Sequence, residues 1–94
     1  MLKTLEDLVN IIRERKSSSD ETSYTSKLLK DKSLSVEKVK EEISELIEAV
    51  ENNSNKIHEA ADVLYHLLVY LEGNGVSIEA IMDELEKRKK KKES

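Results

Sequence analysis

There is no cysteine in the chain, which removes a disulfide framework, a thiolate metal site and a thiolate nucleophile together. Proline is also absent, and glycine occurs only at Gly73 and Gly75. Such a composition disfavours a turn-rich β fold and predicts an all-α one. No apolar run approaches the ~20 residues of a membrane span, and Met1 to Lys16 lacks the uninterrupted apolar centre of a secretory signal. A cytoplasmic protein with no membrane partner is the expectation. Nor does the chain contain a GxGxxG, a P-loop, an HExxH, a nucleophile elbow or an internal repeat.

What is present is charge: 38% of the 94 residues are charged, with a net charge of -4. The net sign argues against general nucleic-acid binding, although Lys87-Arg88-Lys89-Lys90-Lys91-Lys92 forms a basic tail. Without interleaved aromatic residues for base stacking, that run reads as solvated, and no nucleic-acid partner is expected. The length corresponds to one domain, taken as residues 1–88, followed by a disordered tail over 89–94. A domain this small buries a smaller share of its surface than a large one, which favours oligomerisation.

Hydrophobic periodicity predicts four to five helices. The first runs from Thr4 to Lys16, with Thr4 and Asp7 as a capping pair, Leu5, Leu8, Val9 and Ile12 on its buried face, and Arg13, Arg15 and Lys16 complementing the dipole of its last turn. Ser17 to Asp20 is a polar linker, expected with residues up to Thr22 to be poorly ordered until Arg15, Lys16 and Lys27 close on a ligand. The hydroxyl-rich Ser23-Tyr24-Thr25-Ser26 opens a second helix, where capping is the favoured reading and a phosphate the competing one. Ser35 is expected to cap a long helix with Val36, Val39, Ile43, Leu46, Ile47 and Val50 as its apolar stripe. Ser77 starts the last helix, with Ile78, Ile81, Met82 and Leu85 inward.

Between these lies Glu59 to Leu71. At 100° per residue, Glu59, Asp62 and His66 fall within about 60° of one another, opposite Ala60, Ala61, Leu64, Leu67, Leu68 and Leu71. So narrow an ionisable stripe in an apolar segment points to a polar site inside the fold; an ordinary amphipathic face is the alternative. On the preceding helix, Glu42 and Glu45 stand one turn apart beside the core, while Glu41 and Glu48 point outward. The short turn Asn52 to Asn55 folds the two helices back on each other and can bring Glu42, Glu45, Glu59 and Asp62 face to face. Four carboxylates in a partly dry site repel one another strongly, and a divalent cation relieves that. Hard oxygen ligands point to Mg²⁺, with Mn²⁺ as a substitute, over Zn²⁺ or copper. His66 either orients Asp62 or contacts a substrate, or it is a satisfied buried histidine. Beyond the main Ala60/Leu64/Leu67/Leu68/Leu71 stripe, Val63, Val69 and Tyr70 leave more apolar surface than one antiparallel partner covers, so a homodimer sharing these two helices in one bundle is expected.

Glu42-Ile43-Ser44-Glu45, then after a gap of thirteen residues Glu59-Ala60-Ala61-Asp62, resembles the ExxE and ExxD metal motif of the all-α MazG-like nucleoside triphosphate pyrophosphohydrolases. Arg15-Lys16, Ser23 to Leu29, Lys38 to Glu42 and Glu59 to Val69 are similar, in the same order, to blocks of the phosphoribosyl-ATP pyrophosphohydrolase family. The resemblance implies a helical, Mg²⁺-dependent dimer that hydrolyses phosphoribosyl-ATP to phosphoribosyl-AMP and pyrophosphate, the second step of histidine biosynthesis. It also implies that Glu42, Glu45, Glu59 and Asp62 are metal ligands and catalytic. Arg15, Lys16, Lys27 and Lys38 become phosphate contacts, with Ser23, Tyr24 and Thr25 shaping that pocket. Lys40 and Ile43 depart from the family, which usually has Gly and Ala there. The chain is too short to contain the cyclohydrolase to which this domain is fused in some organisms. The competing functions are a house-cleaning NTP or dNTP pyrophosphohydrolase of the same superfamily and a non-catalytic helical interaction module.

Overall fold

A computed structural model of the chain describes residues 2–18 and 22–93. Among them are five helices and no strand: α1 (Lys3–Ser17), α2 (Tyr24–Lys30), α3 (Lys32–Asn52), α4 (Lys56–Gly73) and α5 (Ile78–Glu93). The all-α expectation holds. The linker expected over Ser17 to Asp20 is shorter at its start, because Ser17 closes α1, and residues 19–21 lie outside the described residues.

The α3–α4 hairpin is the frame, with the most extensive contact between any two helices. Its turn is made by Asn53 and Asn55, both in the left-handed region at φ 51° and 52°. Asn53 closes a Schellman motif in which the Ser54 amide donates to the Ala49 carbonyl at 3.0 Å and the Asn53 amide to Val50 at 3.2 Å. At the far end of α4, Gly75 at φ 76° makes the same motif, its amide and that of Val76 donating to the carbonyls of Glu72 and Leu71. α1 and the short α2 pack on one side of this hairpin, and Val9, Ile12, Leu28, Leu68 and Val69 form the core where they meet α4.

Several expectations are corrected. α1 starts at Lys3 with Leu2 in the cap position and no side-chain cap. Thr4 is already helical, and Asp7 is occupied by the ammonium of Lys3 at 3.2 Å. α3 is capped by Asp31, whose carboxylate accepts from the Leu34 amide at 3.1 Å; the helix therefore starts a turn early and Ser35 lies buried within it. Residues 89–93 are helical, in place of the disordered tail expected from residue 89, because Lys, Arg and Glu are good helix formers and cations suit a helix C-terminus. Met82 and Leu85 are half exposed and do not face inward, since among the described side chains of this helix only Ile78 packs against the core.

The largest correction concerns α4. Its buried face carries His66, Leu68, Val69 and Glu72, so Val69 belongs to the core while Leu64, from the expected inner stripe, is 52% exposed. The side bearing Asp62 and His66 thus turns into the protomer, because the rings of Tyr24, Tyr65 and His66 pack there. The α3 stripe is open as well: Ile43, Ile47 and Val50 are all exposed. With α5 leaning away and α3 uncovered, the radius of gyration is 15.0 Å, above the roughly 12 Å of a compact chain of this length.

Candidate active site

One turn of helix separates Glu42 from Glu45 on α3 and Glu59 from Asp62 on α4, and the antiparallel hairpin brings the two pairs together. Carboxylate oxygens of Glu42, Glu45 and Glu59 lie within 4.8 Å of one another, as do ligand atoms of His58, Glu59 and Asp62. Glu59 belongs to both groups and joins them into one acidic patch beside a hollow lined by Glu45, Glu48, Ala49, Asn52, Ser54, Asn55 and Glu59.

Glu42 is the innermost member. Its Oε2 is buried and has no hydrogen-bond partner among the described residues. Burial first, then the neighbouring carboxyl of Glu45 and the charges of Asp62 and Glu59, push the Glu42 carboxyl up to about 7. A buried oxygen without a donor, facing three further carboxylates, is the electrostatic signature of a site that fits a hard cation. His58, which sequence reasoning missed, sets its Nε2 3.4 Å from Asp62 Oδ2 at the exposed edge. The signal was available, since His58 and Asp62 share a helix face at i, i+4.

On the other side of Asp62 stands a tyrosine–histidine cluster. His66 is buried; its Nδ1 lies 2.9 Å from the Asp62 carbonyl oxygen and its Nε2 3.0 Å from the Tyr24 hydroxyl. Thr25 Oγ1 hydrogen-bonds the hydroxyl of Tyr65. Desolvation raises the Tyr24 hydroxyl above its ordinary pKa, opposed by the nearby charge of Lys38. The capping reading of the hydroxyl cluster is supported: Ser23 Oγ accepts from the Ser26 amide at 3.0 Å and donates to Ser26 Oγ at 2.9 Å.

The basic residues are less gathered. Lys38, on α3 one turn before Glu42, lies 3.6 Å from Glu41 and is near enough to Tyr24 for its charge to act on the phenol. Lys27 is exposed on α2. Lys16 donates to the Glu72 carbonyl oxygen at 2.8 Å, ten residues beyond Asp62 on α4, which is roughly 15 Å along the helix axis. The departures from the family motif fall on the open side, Lys40 and Ile43 both being exposed while Glu42 turns inward.

A family model for phosphoribosyl-ATP pyrophosphohydrolase matches residues 5–89. The chain belongs to this family. It is 47% identical over 88 residues to a phosphoribosyl-ATP pyrophosphatase of Methylobacterium nodulans, a match spanning 90% of this chain and 82% of that protein. To the phosphoribosyl-ATP pyrophosphatase of Halobacterium salinarum strain R1 it is 38% identical over 95 residues, covering 95% of this chain and all of the relative. A third relative, the histidine biosynthesis bifunctional protein HisIE of Pyrococcus furiosus, is 43% identical over 90 residues, which is 95% of this chain and 43% of that larger protein.

Other contacts of the fold lie away from the acidic patch. Arg13, read from sequence as a dipole complement, instead ties α1 to the end of α4 and the start of α5: it donates to both oxygens of Glu72 and both of Glu79, at 2.6–3.1 Å. No local pattern announces this contact, because Glu72 sits in the apolar α4 and its partner lies 59 residues away.

Proposed function

We propose that this chain hydrolyses phosphoribosyl-ATP to phosphoribosyl-AMP and pyrophosphate, the second step of histidine biosynthesis, using a divalent cation held by Glu42, Glu45, Glu59 and Asp62. The observation that carries the reading is the buried, unpartnered Oε2 of Glu42 amid three further carboxylates, in a chain of this family. Mg²⁺, or Mn²⁺ in its stead, suits such oxygen donors. When bound, the cation neutralises phosphate oxygens and makes a water more acidic.

The chain's own groups do the rest. Glu42, Glu45, Glu59 and Asp62, on two rigid helices, would hold the cation, and a carboxylate oxygen among them would orient the attacking water by accepting its proton. Lys38 trades Glu41 for a phosphate oxygen, and the start of α2, with Ser23, Tyr24, Thr25 and Lys27, forms the wall nearest the phosphates. Arg15 joins them. Lys16 does so only by releasing the Glu72 carbonyl, so its contact requires a movement at the α1–α4 contact. Cleavage falls at the anhydride joining the nucleoside monophosphate to pyrophosphate, where charge stabilisation outweighs covalent chemistry.

The working form is a twofold dimer. Ile43, Ile47 and Val50 of α3 and Ile57 and Leu64 of α4 are exposed in the protomer, Ile57 at 87%, and a second copy is the natural cover for so much apolar surface. No described helix is long and apolar enough to cross a membrane, and a cytoplasmic location is part of this proposal.

The test is hydrolysis of phosphoribosyl-ATP beside a panel of ordinary NTPs and dNTPs, with and without Mg²⁺, products followed by ³¹P NMR. Turnover of phosphoribosyl-ATP alone is expected. Comparable turnover of the canonical dNTPs, with phosphoribosyl-ATP untouched, would assign the house-cleaning activity instead.

A further inference from the structure

Two of the three tyrosines and one of the two histidines, in a chain without Phe or Trp, are gathered at one point beside the acidic patch. Tyr24 and Tyr65 stack at 6.3 Å, and His66 meets each edge-on, at 5.8 and 5.0 Å. An apolar side chain would fill this space as well as His66 does, so its two hydrogen bonds are what distinguish it. A carbonyl oxygen only accepts, and the contact of Nδ1 with the Asp62 carbonyl therefore places the imidazole proton on Nδ1. In the neutral ring Nε2 is then an acceptor, and the Tyr24 hydroxyl donates to it. Tyr24 itself is 46% exposed. Its phenol stands within reach of the charges of Lys38 on the phosphate side and of Glu42 on the acidic side.

We propose that His66 is a positioning residue. As its Nδ1–H tautomer it links the Tyr24 hydroxyl to the backbone of Asp62, and so fixes the start of α2 against the acidic patch. The proposal rests on the reading of that patch as the reaction site. Its chemistry is orientation: no proton leaves either group during the reaction. The adjacent Thr25–Tyr65 bond holds α2 to α4 one residue further along and makes the link a two-point one. The substrate's phosphates consequently meet a wall whose distance from the carboxylates is set before binding.

The variants separate the two bonds of the ring. In His66→Asn the amide nitrogen takes the place of Nδ1 and cannot reach Tyr24; in His66→Gln the amide oxygen takes the place of Nε2 and accepts from Tyr24. Tyr24→Phe removes only the hydroxyl. The expected result is a loss of kcat of about five- to tenfold in Tyr24→Phe and in His66→Asn, no further loss in the double variant, and recovery in His66→Gln. ¹⁵N NMR of the intact, unliganded protein should show His66 protonated at Nδ1, with Tyr24→Phe shifting Nε2 alone. Additive losses, equal behaviour of the Asn and Gln variants, or a proton on Nε2 would overturn the proposal. If His66→Asn does not fold, Tyr24→Phe and the tautomer decide. Failure of the wild type on phosphoribosyl-ATP counts against the substrate assignment, and the cycle is then measured on whichever triphosphate of the panel is hydrolysed.

Discussion

The guanidinium of Arg13 grips the carboxylate of Glu72 at both oxygens, Nε to Oε1 at 3.1 Å and Nη2 to Oε2 at 2.9 Å, and the glutamate side chain is only 6% exposed. The same guanidinium reaches Glu79 at the start of α5. Removing the arginine strands a buried carboxylate, whereas removing an exposed partner costs little. Arg13→Met should therefore lower the thermal midpoint, followed by circular dichroism, well below that of Lys3→Met, whose ion pair with Asp7 is exposed.

The Arg13 hydrogen bonds hold the Glu79 carboxyl at about 2, below the ordinary carboxylate value. A depressed value in the folded state contributes stability above the ordinary range, which is lost as pH falls through about 2. Because the Glu79 side chain is exposed and its pair is screened by solvent, Glu79→Gln should melt only slightly below the wild type at neutral pH and converge with it in strong acid. A constant gap across the acid limb would show that the carboxylate charge is not what Arg13 recognises.

Glu42 carries the opposite sign. Burial first, then Glu45, raises its carboxyl to about 7, so the folded, cation-free protein keeps a proton that the unfolded chain gives up. That stability is present below the ordinary carboxylate range and disappears as pH rises through about 7. In EDTA the midpoint should fall between about pH 5 and about pH 8, and either Mg²⁺ or Glu42→Gln should flatten the profile. An unchanged slope in Glu42→Gln would place the titration elsewhere.

Glu45→Gln and Asp62→Asn keep shape and remove a negative charge from the patch. Turnover should drop by about 100-fold or more in each, with the far-ultraviolet dichroism unaltered. Normal rates in both variants would remove the acidic patch from the chemistry.

Leu64 and Ile47 test the assembly. Each is more than half exposed in the protomer, and an aspartate at either position meets water in a monomer but lies within the contact of a dimer. Sedimentation should give dimer mass for the wild type and monomer mass for Leu64→Asp and Ile47→Asp, with a wild-type midpoint that rises with protein concentration. Monomer mass for a folded, active wild type would refute the dimer.

Sequence reading succeeded where the physics is local. The pairs Glu42/Glu45 and Glu59/Asp62 are fixed by helical period, and the turn at Asn52 to Asn55 is short enough to force them together. It failed where two local answers compete. Asp31 and Ser35 are both good caps, and the choice went to the one whose carboxylate reaches an amide a turn earlier. Most plainly it failed on the facing of α4: an apolar stripe through Leu64 looks like a core face, yet the hydrogen bonds of His66 and Glu72 turn the mixed face inward. No periodicity distinguishes an apolar stripe that meets its own chain from one left open. Arg13 and Glu72 were illegible for a related reason, being a partnership made wholly in three dimensions.

The hairpin turn at Asn53 and Asn55 has a bearing on the order in which the chain folds. All four acids of the patch lie between Glu42 and Asp62, on two helices joined by that turn, so their mutual repulsion is met as soon as the hairpin closes and before α1 can dock. Carboxylate charge thus opposes closure of the hairpin, and the cation proposed above would relieve it at that step. Refolding followed by stopped-flow dichroism should be faster in Mg²⁺ than in EDTA, and Glu42→Gln should narrow the difference. On the function proposed above, the charges that would prepare the patch for a cation would also make cation supply a determinant of how quickly a new chain reaches its native form.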